Sequence, residues 1–149
     1  MKKNGILNAQ LIGELTKLRH LDQLVICDIG FPIPEGKNWV DVSLVAGIPD
    51  FMQVLNAVVN ELNVQGYTVF DDMKEYNTQI YNEVKALLKV QSSEEVPMDV
   101  FLEKAKKAKL FIRTGEARPC SNILLTSASG VQEDADFYEI HFQRNEKET

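Results

Sequence analysis

Residues 18–34 read LRHLDQLVICDIGFPIP and contain the strand on which the predicted fold depends. In this stretch, an apolar run from Leu24 to Cys27 is preceded by His20 and followed at once by Asp28 and a turn rich in glycine and proline. This pattern is typical of a buried strand that carries polar groups at both ends. Ligands of open α/β sheets collect beyond the carboxyl ends of the strands, so Asp28 occupies a candidate ligand position.

Both polar residues also have ordinary structural interpretations. An aspartate close before a glycine often only forms a turn, and a histidine before a strand could equally close a helix, where the helix dipole favours it. Because the chain has only two histidines, histidine chemistry must use His20 or His141. His20 has the better context, whereas His141 is expected on the outward face of a strand and is given no chemical role. Histidine exchanges protons at neutral pH, so His20 is the candidate acid/base, with Asp22 or Asp28 as the group that could fix its tautomer.

Outward from this stretch, predicted strands alternate with predicted helices, which favours a layered α/β domain. The apolar periodicity predicts helices over residues 7–18, 50–60, 77–90 and 99–109, strands over 24–27, 39–44, 67–70, 110–113 and 123–126, and a polar loop over 92–97. The last two strands follow each other without a helix between them. At least one antiparallel pair, and therefore a mixed sheet, is expected.

Length and composition predict a single domain. A chain of 149 residues with 44% hydrophobic content can bury a substantial core. We place the domain at residues 1–131 and treat residues 132–149 as a C-terminal extension of it, in which 137–142 could add a strand. The extension is also expected to alter assembly relative to shorter chains of the same fold.

Charge and motifs exclude several classes of function. The net charge of -6 argues against a nucleic-acid partner, which requires a basic face. Apolar runs are too short to cross a bilayer, and the first residues lack a signal-peptide core, so we expect a cytoplasmic protein without a membrane partner. Cys27 and Cys120 fit a reducing compartment and form no metal-ligand spacing, so no metal site is expected. Sequence signatures of nucleotide, acyl-transfer and zinc sites are absent from the chain.

The spacing between the two polar ends of the central run poses a geometric problem. Fully extended at ~3.3 Å per residue, the chain would separate the Cα atoms of His20 and Asp28 by about 26 Å, which is too far for one small ligand. Either the chain bends around a short strand, or the two residues join a shared pocket through a neighbouring subunit.

A set of short motifs, in order along the chain, carries a specific resemblance. The set consists of HxD at 20–22, DxGxPxP at 28–34, VDVSL at 40–44, GxP at 47–49, FMQVL at 51–55, IRTGE at 112–116 and PxxNI at 119–123. Together they resemble the D-ribose pyranase and fucose mutarotase family from the N-terminus to about residue 131. The FPIP turn and the FMQVL helix favour the ribose branch.

The resemblance implies a fold, an assembly and a reaction. The fold would be a three-layer α/β/α sandwich with a mixed, mostly parallel sheet, assembled into pentameric rings or stacked decamers with sugar sites between subunits. Such a chain would interconvert the pyranose and furanose forms, or the anomers, of a free monosaccharide such as D-ribose without a cofactor. By the same resemblance His20 would be the general acid/base and Asp28 would accept hydrogen bonds from sugar hydroxyls. Asn122 and the Ser121 backbone would hold the sugar.

Three positions depart from the family's pattern. Cys120 stands where the family usually has a tyrosine, and Met98 and Leu102 stand where ribose-type members carry a histidine and a lysine. Three polar sugar contacts are thereby replaced by apolar or weakly polar groups. A less hydroxylated sugar is one explanation. The alternative function is a non-catalytic sugar-binding or assembly protein that retains the fold.

Overall fold

A computed structural model describes residues 1–129 and builds them around the predicted central strand. This strand, β1 (Gln23–Cys27), is fully buried from Leu24 to Cys27. Its continuous apolar run reflects burial on both faces, because helices cover the sheet on both sides.

The other elements follow in the order expected of an α/β chain. The helices are α1 (Ala9–Leu15), α2 (Phe51–Val59), α3 (Met73–Tyr76), α4 (Thr78–Leu87) and α5 (Met98–Ala105). The remaining strands are β2 (Trp39–Asp41), β3 (Val64–Phe70), β4 (Ser92–Val96), β5 (Leu110–Arg113) and β6 (Ile123–Ser127). The side chain of Asn8 caps α1 by accepting a hydrogen bond from the Leu11 N–H at 2.9 Å.

The six strands form one sheet in the order β2-β5-β1-β6-β3-β4. β6 runs antiparallel to both of its neighbours, β1 and β3, whereas the other three pairings are parallel. The prediction of a mixed sheet is therefore confirmed. β5 and β6, which are consecutive in the chain, do not pair with each other, because β1 lies between them.

Two apolar clusters, one on each face of the sheet, complete the three layers. α1, α2, α3 and α4 cover one face, where Leu55 and Ile80 pack with Leu24 and Ile26. α5 covers the other face, where Phe101 packs with the opposite side of β1. The structure is thus the expected α/β/α sandwich with a mixed, mostly parallel sheet.

The structure differs from the predicted elements in several places. The strand predicted over residues 39–44 is shorter, and the one predicted over 67–70 begins earlier. Residues 92–97, predicted to be a polar loop, contain the edge strand β4, whose sequence SSEEV is polar because most of its side chains face solvent. A short helix, α3, precedes α4 and was not predicted. The helix predicted over residues 50–60 begins at Phe51, because Asp50 is the N-cap of α2 and forms a capping box with Gln53.

Some predictions cannot be compared with the described residues. The added strand at 137–142, the position of His141 and the role of the extension all fall outside residues 1–129. Among the described helices, none is both long enough and apolar enough to cross a membrane.

Candidate functional site

A cleft of about 360 Å³ lies at the edge of the sheet where β1 ends. It is lined by side chains that follow several different strands, together with one face of α5. The lining residues are Asp28, Gly30, Phe31, Pro32, Phe70, Met98, Leu102, Pro119, Cys120 and Asn122. This is the position at which open α/β sheets bind ligands.

The strand directions explain why Asp28 and Asn122 meet, although 94 positions separate them. Asp28 follows β1, and Asn122 precedes β6, which runs antiparallel to β1 with Ile26 opposite Ile123. The end of one strand and the start of its antiparallel neighbour lie at the same sheet edge. The two side chains therefore reach the same cleft.

Asp28 and Asn122 orient each other through a pair of hydrogen bonds. The Asn122 amide donates to Asp28 Oδ2 at 3.2 Å, and Asn122 Oδ1 accepts from the Asp28 backbone N–H at 2.9 Å. The Gly30 N–H donates to Asp28 Oδ1 at 3.1 Å. Burial raises the pKa of Asp28, and the hydrogen bonds it accepts from the Gly30 backbone and from Asn122 offset part of that rise.

The raised pKa predicts how the Asp28→Asn substitution changes the pH dependence of stability. Above the ordinary value of 3.8, the folded chain retains a proton that the unfolded chain has released. The contribution of Asp28 to the free energy of unfolding therefore declines as pH rises from the ordinary pKa through the raised pKa. The free energy of unfolding of wild type minus that of the variant should fall as pH rises above 3.8 and then level off. Urea unfolding at several pH values and equal subunit concentration measures this difference. A difference that rises with pH would show that folding does not raise the pKa of Asp28.

A buried asparagine, Asn77, supports the loop that carries Asn122. The Asn77 amide donates to the Pro119 carbonyl at 3.1 Å and to Ser121 Oγ at 3.0 Å. Ser121 Oγ in turn donates to the Arg118 carbonyl at 3.0 Å. Ser121, which the resemblance placed against the sugar through its backbone, is fully buried and does not line the cleft, so in this subunit it supports the loop that carries Asn122.

Glycine is required where the same loop begins. A Cβ on Gly115 would lie 2.6 Å from the Ile48 carbonyl oxygen, a distance that real side chains do not tolerate. The Gly115 N–H donates to the Pro49 carbonyl at 2.8 Å, and Gly115 O accepts from the Gly47 N–H. Two of the motifs quoted above, GxP at 47–49 and IRTGE at 112–116, thus form one structural contact.

The part of the cleft formed by α5 is apolar. Met98 and Leu102 are one helical turn apart on α5 and both line the cleft. Behind them Phe101 makes edge contacts with Phe31 and Phe70, at centroid distances of 6.0 and 4.5 Å. We call these five residues the apolar wall. A ligand between this wall and Asp28 would meet hydrocarbon on one side and a carboxylate on the other.

Cys120 also lines the cleft, in an uncommon backbone conformation. Its φ of 59° is in the left-handed region, which a residue with a side chain seldom adopts. Burial, followed by the nearby charges of Asp72 and Asp28, raises the pKa of the Cys120 thiol. The thiol is therefore protonated at neutral pH and is only a weak hydrogen-bond donor.

His20 is not in this cleft. It is exposed and lies in the turn before β1, at the strand end opposite to Asp28. A backbone hydrogen bond from the Leu21 N–H to the Ser127 carbonyl, at 2.9 Å, holds this turn. Leu21 adopts a left-handed conformation there, with a φ of 69°. A five-residue strand at ~3.3 Å per residue spans roughly 16 Å, so the two residues of one chain do not share a small ligand.

Asp22, which the sequence indicated as a group that could fix the tautomer of His20, is engaged with other partners. Its two carboxylate oxygens accept from the Arg19 N–H at 2.7 Å and pair with Lys109 Nζ at 2.8 Å. The contact with Lys109 is the main cause that lowers the pKa of Asp22. Within residues 1–129, the structure also contains no group of three or more His, Cys, Asp or Glu residues that could hold a metal ion.

Several residues that line or support the cleft were not identified from the sequence. Asn77 was interpreted as the start of a helix, and the adjacent sequence gives no sign of its contact with a loop more than 40 positions away. Phe31 and Phe70 could have been found, because each lies at or just beyond the carboxyl end of a strand of the sheet. Met98, Leu102 and Cys120 were singled out only as departures from a pattern, and the structure brings all three into one cleft.

Comparison with known proteins identifies the family. The model of the RbsD / FucU transport protein family matches residues 1–131. The D-ribose pyranase of Geobacillus thermodenitrificans is 44% identical over 127 residues, which cover 85% of this chain and 96% of that protein. D-ribose pyranase 2 of Streptomyces griseus is 41% identical over 127 residues and covers 84% of this chain and 95% of that protein.

Solved structures agree with this comparison. The structure of Bacillus subtilis RbsD complexed with D-ribose has a TM-score of 0.83 at 34% identity, covering 86% of this chain and 98% of that chain. The fucose mutarotase of Streptococcus pneumoniae in complex with L-fucose has a TM-score of 0.70 at 16% identity, covering 82% and 93%, and shows the shared fold alone. With its sheet order, its cleft and these matches, the chain belongs to the RbsD / FucU family.

Proposed function

We propose that this chain is an intramolecular isomerase that interconverts the ring forms of a free monosaccharide such as D-ribose. The relatives that carry the name D-ribose pyranase support a mutarotase activity over most of the chain length. The observation that carries the proposal is the cleft that pairs a half-buried carboxylate, Asp28, with the amide of Asn122 at 3.2 Å. Carboxylate and amide groups fixed in this way suit the recognition of sugar hydroxyls.

The proposed chemistry is general acid/base catalysis by His20. A base takes the proton of the anomeric hydroxyl while an acid protonates the ring oxygen, so the bond between C1 and the ring oxygen breaks and the aldehyde forms. Reclosure through a different hydroxyl, or on the other face of the aldehyde, gives the second ring form. Asp28 and Asn122 hold the hydroxyls that do not react, and the buried Ser121 fixes the loop that positions Asn122. The reaction is redox-neutral and conserves all atoms, so the proposal includes no cofactor.

The position of His20 supports a shared site between subunits. His20 and Asp28 lie at opposite ends of β1, so a site that contains both residues requires the His20 of a neighbouring copy. A ring of identical subunits, such as a pentamer or a pair of stacked pentamers, repeats this contact in every interface. We accordingly propose a homo-oligomer in the cytoplasm, with residues 1–131 as its sugar-binding domain and 132–149 as an extension of that domain.

The alternative function is a non-catalytic sugar-binding or assembly protein. The observation in its favour is the apolar side of the cleft, where Met98, Leu102 and Cys120 offer a sugar little hydrogen bonding. Magnetisation-transfer NMR on a panel of monosaccharides separates the two functions. Ring exchange accelerated by the protein supports the isomerase, whereas unchanged exchange with detectable binding supports the alternative.

A mixing experiment tests the shared site directly. We expect His20→Ala and Asp28→Ala each to be inactive alone, because each removes one half of every site. In rings assembled from equal amounts of both variants, about a quarter of the interfaces join an intact His20 to an intact Asp28. Ring exchange should therefore recover to about a quarter of the wild-type rate. Co-assembled rings without any recovery would place both residues' functions within one subunit.

A further inference from the structure

The cleft has a limited capacity to bind hydroxyl groups. Asp28 already accepts from the Gly30 N–H and from Asn122, and Asn122 Oδ1 already accepts from the Asp28 N–H. The backbone N–H groups of Ser121 and Phe31 also face the Asp28 carboxylate. One N–H of the Asn122 amide and the remaining lone pairs of the carboxylate are left for a ligand. These groups can serve about two sugar hydroxyls, since each hydroxyl needs its own favourable geometry.

Within one subunit, the apolar wall offers no comparable group. Met98 and Leu102 present a thioether and a branched alkyl chain, and Phe31 and Phe70 present aromatic carbon. The Cys120 thiol remains protonated and donates weakly. A ring hydroxyl turned toward this wall would lose its water without gaining a partner.

The cleft thus combines a few polar groups at Asp28 and Asn122 with an apolar wall. We infer that its preferred ligand is a monodeoxy pentose, which places a CH₂ group against Met98 and Leu102 where D-ribose has a hydroxyl. The inference rests on the proposed function, because it concerns the substrate of the same cleft. A hydroxyl that is desolvated without a partner weakens binding by about tenfold or more, and removal of that hydroxyl restores the loss.

The apolar wall does not consist of Met98 and Leu102 alone, because a buried aromatic cluster supports them. Phe101, which is fully buried, fixes Phe31 and Phe70 through edge contacts, and it lies between Met98 and Leu102 in the sequence of α5. The packing of Phe101 therefore fixes the face of α5 that lines the cleft. Its apolar surface is available before a ligand arrives, which favours a ligand with a matching apolar edge.

The test compares D-ribose with 2-deoxy-D-ribose and 3-deoxy-D-ribose on the full chain. Magnetisation transfer gives the ring-exchange rate for each sugar, and a chemical-shift titration gives each dissociation constant. We expect at least one deoxy sugar to exceed D-ribose tenfold in kcat/KM or in affinity. We also expect nuclear Overhauser contacts from its CH₂ protons to the methyl groups of Met98 or Leu102.

A pair of variants on the same helix provides the control. Met98→Gln places an amide of similar size on the wall and should reduce the preference for the deoxy sugar at least threefold. Val100→Gln places the same amide outside the cleft, beside Glu103 and Lys107, and should leave the preference unchanged. An equal effect of both variants would overturn the inference.

Failure of the inference and failure of the proposed function give different results. D-ribose that matches or exceeds both deoxy sugars in exchange and binding would overturn the inference while leaving the isomerase intact. Tighter binding of a deoxy sugar without accelerated exchange of any sugar would support the inference and overturn the isomerase. Absence of both binding and exchange for all three sugars would overturn both.

Discussion

Substitution of His20 by alanine is expected to lower the rate of sugar ring exchange by about 10²–10⁴-fold. In the proposed mechanism this imidazole moves the proton between the anomeric hydroxyl and the ring oxygen, and alanine has no group that can replace it. The side chain is exposed in the turn before β1, so its loss removes no packing from the described subunit. The free energy of unfolding should therefore stay within about 0.5 kcal/mol of wild type.

Magnetisation-transfer NMR at equal protein concentration measures this effect, and sedimentation velocity checks that the assembly is unchanged. Lys17→Ala is the matched control, because Lys17 is an exposed residue of the same segment whose ion pair is with Glu14, 3.0 Å away. Its exchange rate should equal that of wild type. A His20→Ala protein that retains most of the wild-type rate would exclude this residue as the acid/base.

Substitution of Phe101 by alanine is expected to lower the free energy of unfolding by about 3–5 kcal/mol. Phe101 is fully buried on the α5 side of the sheet and contacts Phe31 and Phe70 edge to face. Removal of the ring leaves a cavity that the strands below cannot fill, because the sheet is held by its own hydrogen bonds. Because Phe31 and Phe70 line the cleft, ligand affinity should fall as well.

Urea unfolding at a fixed subunit concentration measures the loss of stability, since dissociation contributes to unfolding in an oligomer. Val100→Ala on the same helix is the control, because Val100 is exposed and lies outside the cleft. The control should stay within about 0.5 kcal/mol of wild type. A loss below 1 kcal/mol for Phe101→Ala would show that α5 does not fix this face of the sheet.

The central strand was predictable because its sequence carries the information locally. Residues 24–27 are all apolar, and a strand buried on both faces requires that composition whatever its neighbours are. The helix that begins after Asp50 was predictable for a similar reason, since Phe51, Val54, Leu55 and Val58 repeat at helical spacing.

The edge strand β4 was not predictable in this way. Its side chains are mostly exposed, so its composition resembles that of a loop. What makes it a strand is its parallel pairing with β3, in which Gly66 lies opposite Ser92 and Phe70 opposite Val96. Pairing is a property of two distant segments, so a local pattern does not contain it.

Local sequence patterns were sufficient to predict the layered α/β class and its buried central strand, and the ordered motifs indicated the residues proposed for the site. The folded chain was needed to show that one cleft is lined by Asp28, Asn122, Cys120, Met98 and Leu102, and that His20 lies at the other end of β1. The physical reason is that helix and strand preferences arise from neighbouring side chains, whereas a site arises from the order and direction of strands. β6 brings Asn122 to Asp28 only because it enters the sheet beside β1 in the antiparallel sense.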